Sequence, residues 1–495
     1  LRFQGPLAPG RIGEVFGWGA AETGELIEAL AREEAPGAPV TSVTVEGLGD
    51  GLCCDAENLE LLLRLKRAGA RPKLKERPAA LLAPFLALRQ GIPQGAGDGR
   101  GAATELGRWA AGLALPPGLW ETEILCAREK NYRPESLDGE LREGRLLWYG
   151  AGKGLAAFCR PEDLDLSGPE TGEGDPGPFP PGFFERPRDY WEIKDACGGS
   201  LGGDRTLIPA IWEQVWKGRL SSDTWEAQRR AAVEGIVNSG NTVTAGDSIT
   251  GGPFRRVPKA LQSRAALRNL WKQGSPLPGR WFSLDREELS GEEPWYQEEL
   301  DRERVRLLLR RWGILCRPLL ERENFLLSWA RLLPAMRRME LAGELTAGYF
   351  FSGIRSLQFA SPAIVRNLEE AEEFGGRELY WLNAADPASS AALDIEGLDP
   401  RLPARSARNR LYYRGVRLIA VSKRNGKELE IFIPPEDPDL GELVVLYKVP
   451  RQRNPSPEKK LVVETINGAA AGSSPYGSCF VEGGFIRDRE KLYLW

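Results

Sequence analysis

LDGELREGRLLWYGAGKGLAAFC, at residues 137–159, reads as the end of an amphipathic helix, a glycine stop at Gly144, an apolar strand, a glycine-rich turn and a second strand. Leu137 and Leu141 lie one helical turn apart, and a glycine after the last periodic residue is the usual helix stop. Upstream, a short helix at residues 122–127 and a second at 134–143 complete a helix, helix, hairpin unit, the pattern of a winged helix. The phrase recurs as IWEQVWKGRLSSDT at 211–224 and LPAMRRMELAGELTAGYF at 333–350. Any helix-to-strand joint can use glycine, but three occurrences of the same phrase favour tandem modules.

Working outward, RIGEVFGWGAAETGELIEALAREE (11–34) breaks into two helices around Gly17-Trp18-Gly19, and the β-rich residues 40–45 supply a wing. The implied units are a first winged helix with a connector helix at 1–75, connector helices (55–66 and 76–90 are both helical by pattern) and a second winged helix at 76–166, and a third at 183–234. A linker at 235–300 follows, then a fourth winged helix at 301–375, with helices at 302–312, 321–330 and 332–342 and a hairpin at 344–351. After Arg377, β-rich runs at 378–382, 416–421, 428–433, 443–447 and 460–465 alternate with N-G, D-P and P-S-P turns, a C-terminal β-domain at 376–495. The fold class expected is α+β and multidomain: tandem winged-helix (helix-turn-helix) modules followed by a C-terminal β-rich, barrel-like domain.

The composition narrows the chemistry. Zero histidines in 495 residues exclude Ser-His-Asp, Cys-His and His-metal mechanisms. Seven cysteines without a C-x-x-C pair read as buried reduced thiols in a reducing compartment, with no metal site. No apolar run approaches the ~18 residues of a membrane span and no signal peptide is evident, so a cytoplasmic protein with no membrane partner is expected. The first residue is Leu1 and the only methionines are Met336 and Met339, which suggests a piece of a longer protein. A phosphate loop would need G-x-x-x-x-G-K-[ST]; Gly150-Ala151-Gly152-Lys153-Gly154 lacks its first glycine and its Ser/Thr and reads as a hairpin turn.

The net charge of -4 conceals segregation. Residues 301–340 hold ten Arg or Lys against five acids, residues 401–430 nine against two, and residues 162–195 ten acids against three bases. A basic face is therefore expected at 401–427, with Arg405, Arg408, Arg410, Arg414, Arg417, Lys423 and Arg424 on phosphates and Tyr412 and Tyr413 stacking on bases. Trp148 and Tyr149 could wedge a duplex from an exposed wing, or pack that wing onto its own helix.

RLLWYGAGKGLAAFCRPEDL, AIWEQVWKGRLSSDTWEAQR, GRWFSL, AGELTAGYFFSGIRSLQFASP, LNAADPA and VVETINGAAAGSSPYGSCFVEGGFIRDREKLYLW, in that order, make nearly the whole chain resemble the C-terminal region of Lhr-type (large helicase-related) bacterial DNA repair helicases. The resemblance implies an N-terminal ATPase motor outside this chain, so that ATP and Mg are expected only there and no cofactor here. It also implies kinship with helix-turn-helix DNA glycosylases, uracil excision in some members, and assembly as oligomers. The chain departs from the family pattern in having no histidine and in Ser389-Ser390, where Asn-Pro-Tyr-Gly is expected.

Glycosidic cleavage needs a carboxylate or amide to orient water and an aromatic wall for the base. Asp386, with Tyr380, Trp381 and Asn383 just upstream, offers that set, although Asp-Pro can equally start a turn. Asp488, between Arg487 and Arg489, is the second candidate, or else a hairpin acid paired with its neighbours. Gln358 resembles a glycosylase glutamine, and Asp223 reads as a turn cap. Three functions follow: a DNA-binding region holding single-stranded or forked DNA for a motor; a DNA glycosylase acting through Asp386 or Asp488; and an oligomerisation platform pairing basic faces with the acidic segment 162–195.

Overall fold

The computed structural model describes residues 5–31, 40–45, 49–55, 58–59, 61–63, 75–92, 101–152, 154–167, 178–199, 201, 203–233, 275–284, 294–323, 327–366, 368–369 and 378–495. They belong to two compact units, residues 1–73 and 74–495.

In the first unit, α1 (Pro9–Phe16) and α2 (Ala20–Ala31) are separated by Gly17, whose φ of 72° allows its amide to bond back to Gly13. β1 (Val40–Val45) pairs antiparallel with β2 (Gly49–Asp55), giving the expected wing. Ile12, Val40 and Cys53 form its small core. Half of the expected connector helix at 55–66 lies outside the described residues; residues 58–59 and 61–63 are helical.

The second unit begins with α3 (Leu82–Arg89) and α4 (Ala102–Trp109). α3 is shorter than the expected helix at 76–90 because a 3-10 turn over Ala79–Leu81 precedes it. A π-helical turn, Trp120–Leu125, leads towards α5 (Pro134–Arg142), β3 (Leu147–Gly150) and β4 (Ala156–Cys159). The third module comprises α6 (Tyr190–Cys197), held by an Asp189–Glu192 capping box, α7 (Asp204–Trp216), β5 (Leu220–Ser222), α8 (Glu226–Val233) and β6 (Trp281–Ser283). β6 pairs antiparallel with β5, so the expected linker at 235–300 contains the second strand of this wing. The reason is burial: Trp281 is wholly enclosed, against Trp148 and Trp212.

α9 (Pro294–Trp312) also starts inside that linker. It is followed by β7 (Ile314–Leu315), α10 (Arg317–Leu320), α11 (Trp329–Leu341), β8 (Thr346–Gly348) and β9 (Gln358–Ala360), with strand order β7-β9-β8. The hairpin therefore closes onto β9 and is not confined to 344–351; of the helix expected at 321–330, residues 321–323 are not helical, 329–330 belong to α11, and 324–326 lie outside the described residues. Gly144, Gly218 and Gly343, at φ of 68°, 71° and 80°, follow α5, α7 and α11, so the repeated phrase is one structural joint used three times.

The C-terminal part is an open six-stranded sheet, not a barrel. β10 (Leu379–Asn383), β11 (Arg410–Arg414), β12 (Arg417–Lys423) and β13 (Glu428–Ile431) are antiparallel, and α12 (Asp439–Tyr447) and β14 (Leu461–Val463) follow. β15 (Thr465–Ile466), parallel to β13, and β16 (Ala469–Ala470) extend the sheet in the order β10-β11-β12-β13-β15-β16. α13 (Gly477–Glu482), β17 (Ile486–Asp488) and β18 (Lys491–Leu494) complete the chain, with β18 between β14 and β17. The expected strand at 443–447 is the end of α12. Its β-branched residues favour a strand, but Leu440, Leu443, Val444 and Tyr447 are buried at helical spacing and Asp439 and Glu442 suit the positive helix start.

One core runs through the whole second unit. At the joint between the second and third modules, Trp148 sits edge-on to Trp225 and Trp281, its indole N–H donates to Ser222 O at 2.9 Å, and the Ser221 hydroxyl donates to Trp148 O at 2.6 Å. A methyl group on Gly150 would stand 2.1 Å from Val215 O, a distance only backbone movement can relieve. Gly150→Ala is therefore expected to lower the thermal midpoint by several degrees, whereas Gly139→Ala, with open space around it, leaves it unchanged or raises it. Thermal denaturation of both variants checks this.

Candidate nucleic-acid interface and the cleft beside it

The π-helical turn puts Glu121 and Glu123 into the interior with arginines drawn in to meet them. Glu123 Oε1 accepts from Arg410 Nη2 at 2.7 Å and Arg453 Nη1 at 2.6 Å; Oε2 accepts from Arg410 Nε at 2.9 Å and Asn383 Nδ2 at 3.1 Å. Burial alone would raise this carboxyl, but the two guanidiniums overcome it and hold the group at about 2. Glu121 accepts from Arg229 Nε at 2.7 Å and Nη2 at 2.9 Å and from the Tyr132 hydroxyl at 2.7 Å. Asp138 takes Arg229 Nη1 at 2.7 Å and, through its other oxygen, the Thr224 hydroxyl and Trp225 amide. Buried Cys126, in the same region, has its thiol pushed up to about 12 by burial.

These pairs wall a cleft of about 390 Å³ between the π-helical turn, α8, the segment entering β11, the β12–β13 turn and the loop after α12. Among the described residues no group of three potential metal-ligating side chains gathers, and no helix is long and apolar enough to cross a membrane.

Asp386 is fully enclosed, with Oδ1 and Oδ2 taking Arg128 Nη2 at 3.0 Å and Nη1 at 2.8 Å and Oδ1 also capping the Ala388 amide. It begins a turn and locks the sheet to the second module; it faces no open site. Asp488 is exposed on β17, opposite Lys491. The other expected contacts divide. Tyr412, Tyr413, Trp148, Trp381 and Gln358 are all core residues, Tyr413 stacked on Tyr380 with centroids 5.3 Å apart. Gln358 is used up by the Phe350 and Phe351 amides and Phe351 O. Tyr149 is buried too, its hydroxyl donating to Ser167 O.

Among the basic residues, Arg410 is buried on Glu123, Arg414 pairs with Asp439 and Glu442, Lys423 with Glu430, Arg424 with Glu428, and half-buried Arg405 donates to Ala385 O. Arg408, Arg417 and Lys427 are exposed. Glu121, Glu123, Arg128, Arg229 and Arg453 were missed by sequence reasoning; the first three leave a trace as charged residues set within the apolar run WETEILCAR, 120–128, and Arg229 and Arg453 leave none. Asp223 does not cap its own turn; it accepts from the Arg280 amide at 2.8 Å, just before the strand that pairs with β5.

Family comparison adds to this geometry. The models of the third and fourth winged-helix domains of the large helicase-related protein match residues 78–161 and 296–378. Two of the chain's modules are Lhr winged-helix domains. The Lhr helicase/probable uracil glycosylase of Mycolicibacterium smegmatis is 24% identical over 95% of this chain and 31% of its own length. The Lhr helicase/uracil glycosylase of Escherichia coli is 24% identical over 87% of this chain and 28% of its own. The chain thus spans about a third of the length of these curated Lhr relatives. The Streptomyces sahachiroi DNA glycosylase AlkZ superposes at a TM-score of 0.39 with 14% identity, over 76% of this chain and 97% of that one, too distant to assign a fold.

Two outcomes follow from the buried charges. Asp386→Ala strands Arg128 in the interior and should cost about 3–5 kcal/mol, while replacing both partners by apolar residues of similar volume recovers much of that in denaturant unfolding. Because the Glu123 carboxyl is lowered on folding, its contribution is complete above about 4.5 and is lost as pH falls towards about 2. Acid unfolding of the intact chain should therefore steepen below about pH 4.5, and Glu123→Gln should flatten that part of the curve while lowering stability at neutral pH.

Proposed function

We propose that this chain is the DNA-binding region of an Lhr-type helicase, holding single-stranded or forked DNA for a motor carried elsewhere in the parent protein. The observation that carries the reading is the pair of Lhr winged-helix domains, 78–161 and 296–378, within a single compact unit. Winged helices meet nucleic acid through helix ends, wings and backbone contacts, which need neither histidine nor metal. Both relatives carry "helicase" in their names. ATP and magnesium belong to the motor in this reading.

Uracil excision is the second reading, favoured by the words "uracil glycosylase" in both relatives' names and by the exposure of Asp488. Asp386, sealed by Arg128, would serve it only through structure. Fluorescence anisotropy with single-stranded, forked and fully paired DNA of one sequence tests the first reading: preference for the first two is expected, and no binding or preference for the paired form overturns it. Incubating single-stranded DNA that contains one uracil, followed by alkali, tests the second. Cleavage lost in Asp488→Ala but retained in proportion to folded protein in Asp386→Ala supports excision at Asp488; no cleavage by the unaltered chain removes excision.

A further inference from the structure

Along α8, Gln228, Arg229 and Ala232 recur at helical spacing on the face that lines the 390 Å³ cleft, and Trp225 lies just before them. Arg229 is consumed by Glu121 and Asp138. Gln228 is fully enclosed, yet neither its amide oxygen nor its amide nitrogen has a hydrogen-bond partner among the described residues. A buried amide left unmet at both ends is destabilising, and native interiors seldom keep one without a use.

The charges of the cleft say what would meet it. Glu121, Glu123 and Glu458 face Arg229, Arg410 and Arg453, and each carboxylate is bonded to at least one of these arginines. The wall is balanced, which disfavours a phosphate and suits a neutral molecule. An amide presents a donor and an acceptor side by side, the complement of the donor–acceptor edge that every nucleobase carries. Pro117, Leu119, Ala407 and Pro455 add apolar surface. Exposed Arg408 and Lys459 are chain neighbours of the lining residues Ala407 and Glu458, where phosphates flanking an unstacked base would pass.

We propose that this cleft receives one unstacked nucleobase of single-stranded DNA, paired through its edge to the Gln228 amide. The proposal rests on the DNA-holding reading above and adds to it a site and a contact.

The test uses the whole chain and a short end-labelled single-stranded DNA with one 2-aminopurine, so that anisotropy reports binding and 2-aminopurine emission reports unstacking. The unaltered chain is expected to bind and to raise the emission. Gln228→Leu, which removes the two unmet polar atoms, should remain folded, bind about tenfold more weakly and lose the emission change. Gln228→Glu, with the donor removed, should lose it as well and serves if the leucine variant does not fold. Unchanged affinity and emission in either folded variant overturns the base site while leaving DNA binding intact, as expected if only water meets the amide. Absence of any anisotropy change with the unaltered chain overturns the DNA-holding reading itself.

Discussion

The buried carboxylate of Glu123 is the constraint around which the second unit is arranged. Two ions in a protein interior lose several kcal/mol of hydration each, and only close, multiply bonded geometry returns it. Glu123 meets that demand by gathering Arg410 from β11, Arg453 from the loop after α12 and Asn383 from β10. One side chain of the second winged-helix module thus fixes three segments of the C-terminal sheet region. Arg128 and Asp386 repeat the device a few residues away, and Arg229 with Glu121 and Asp138 ties α8 to the same turn. Modules that a sequence reader would separate with linkers share a single core for this reason.

The same pairing reshapes the surface available to a polyanion. Residues 401–430 carry nine bases against two acids, which suggests a continuous basic face. Folding brings acids from elsewhere: Glu123 to Arg410, Asp439 and Glu442 to Arg414. Exposed Arg417 and Lys427 are left to act outward. The aromatic residues follow suit, with Tyr412, Tyr413 and Trp381 filling the sheet's core and withdrawn from any stacking on single-stranded DNA. In the proposed reading, recognition of bases then falls to concave features such as the cleft beside α8.

The winged-helix repeat was legible because it is written in local chemistry. Gly144, Gly218 and Gly343 each take a conformation that side chains disfavour, and a helix-stop rule finds them without tertiary information. Trp281 was not legible as a strand partner, since more than fifty residues separate it from β5 and only the tryptophan cluster around Trp148 explains its place. Residues 443–447 misled because β-branched composition and helical spacing disagree there, and burial decided for the helix. At the site, Asp386 was read as a catalytic candidate or a turn starter; the partner that seals it, Arg128, lies 258 positions away, and a pairing over that span leaves no spacing signal.

The salt dependence of single-stranded DNA affinity tests most directly whether internal pairing determines which cations remain for DNA. Each phosphate contact contributes about 0.7 to the slope of log affinity against log salt. Replacing Arg417 and Lys427 with alanine should reduce that slope by about 0.7 for each, while replacing Lys423 and Arg424, which are paired to Glu430 and Glu428, should leave it unchanged. An equal reduction from both pairs, or none from the first, would contradict the account.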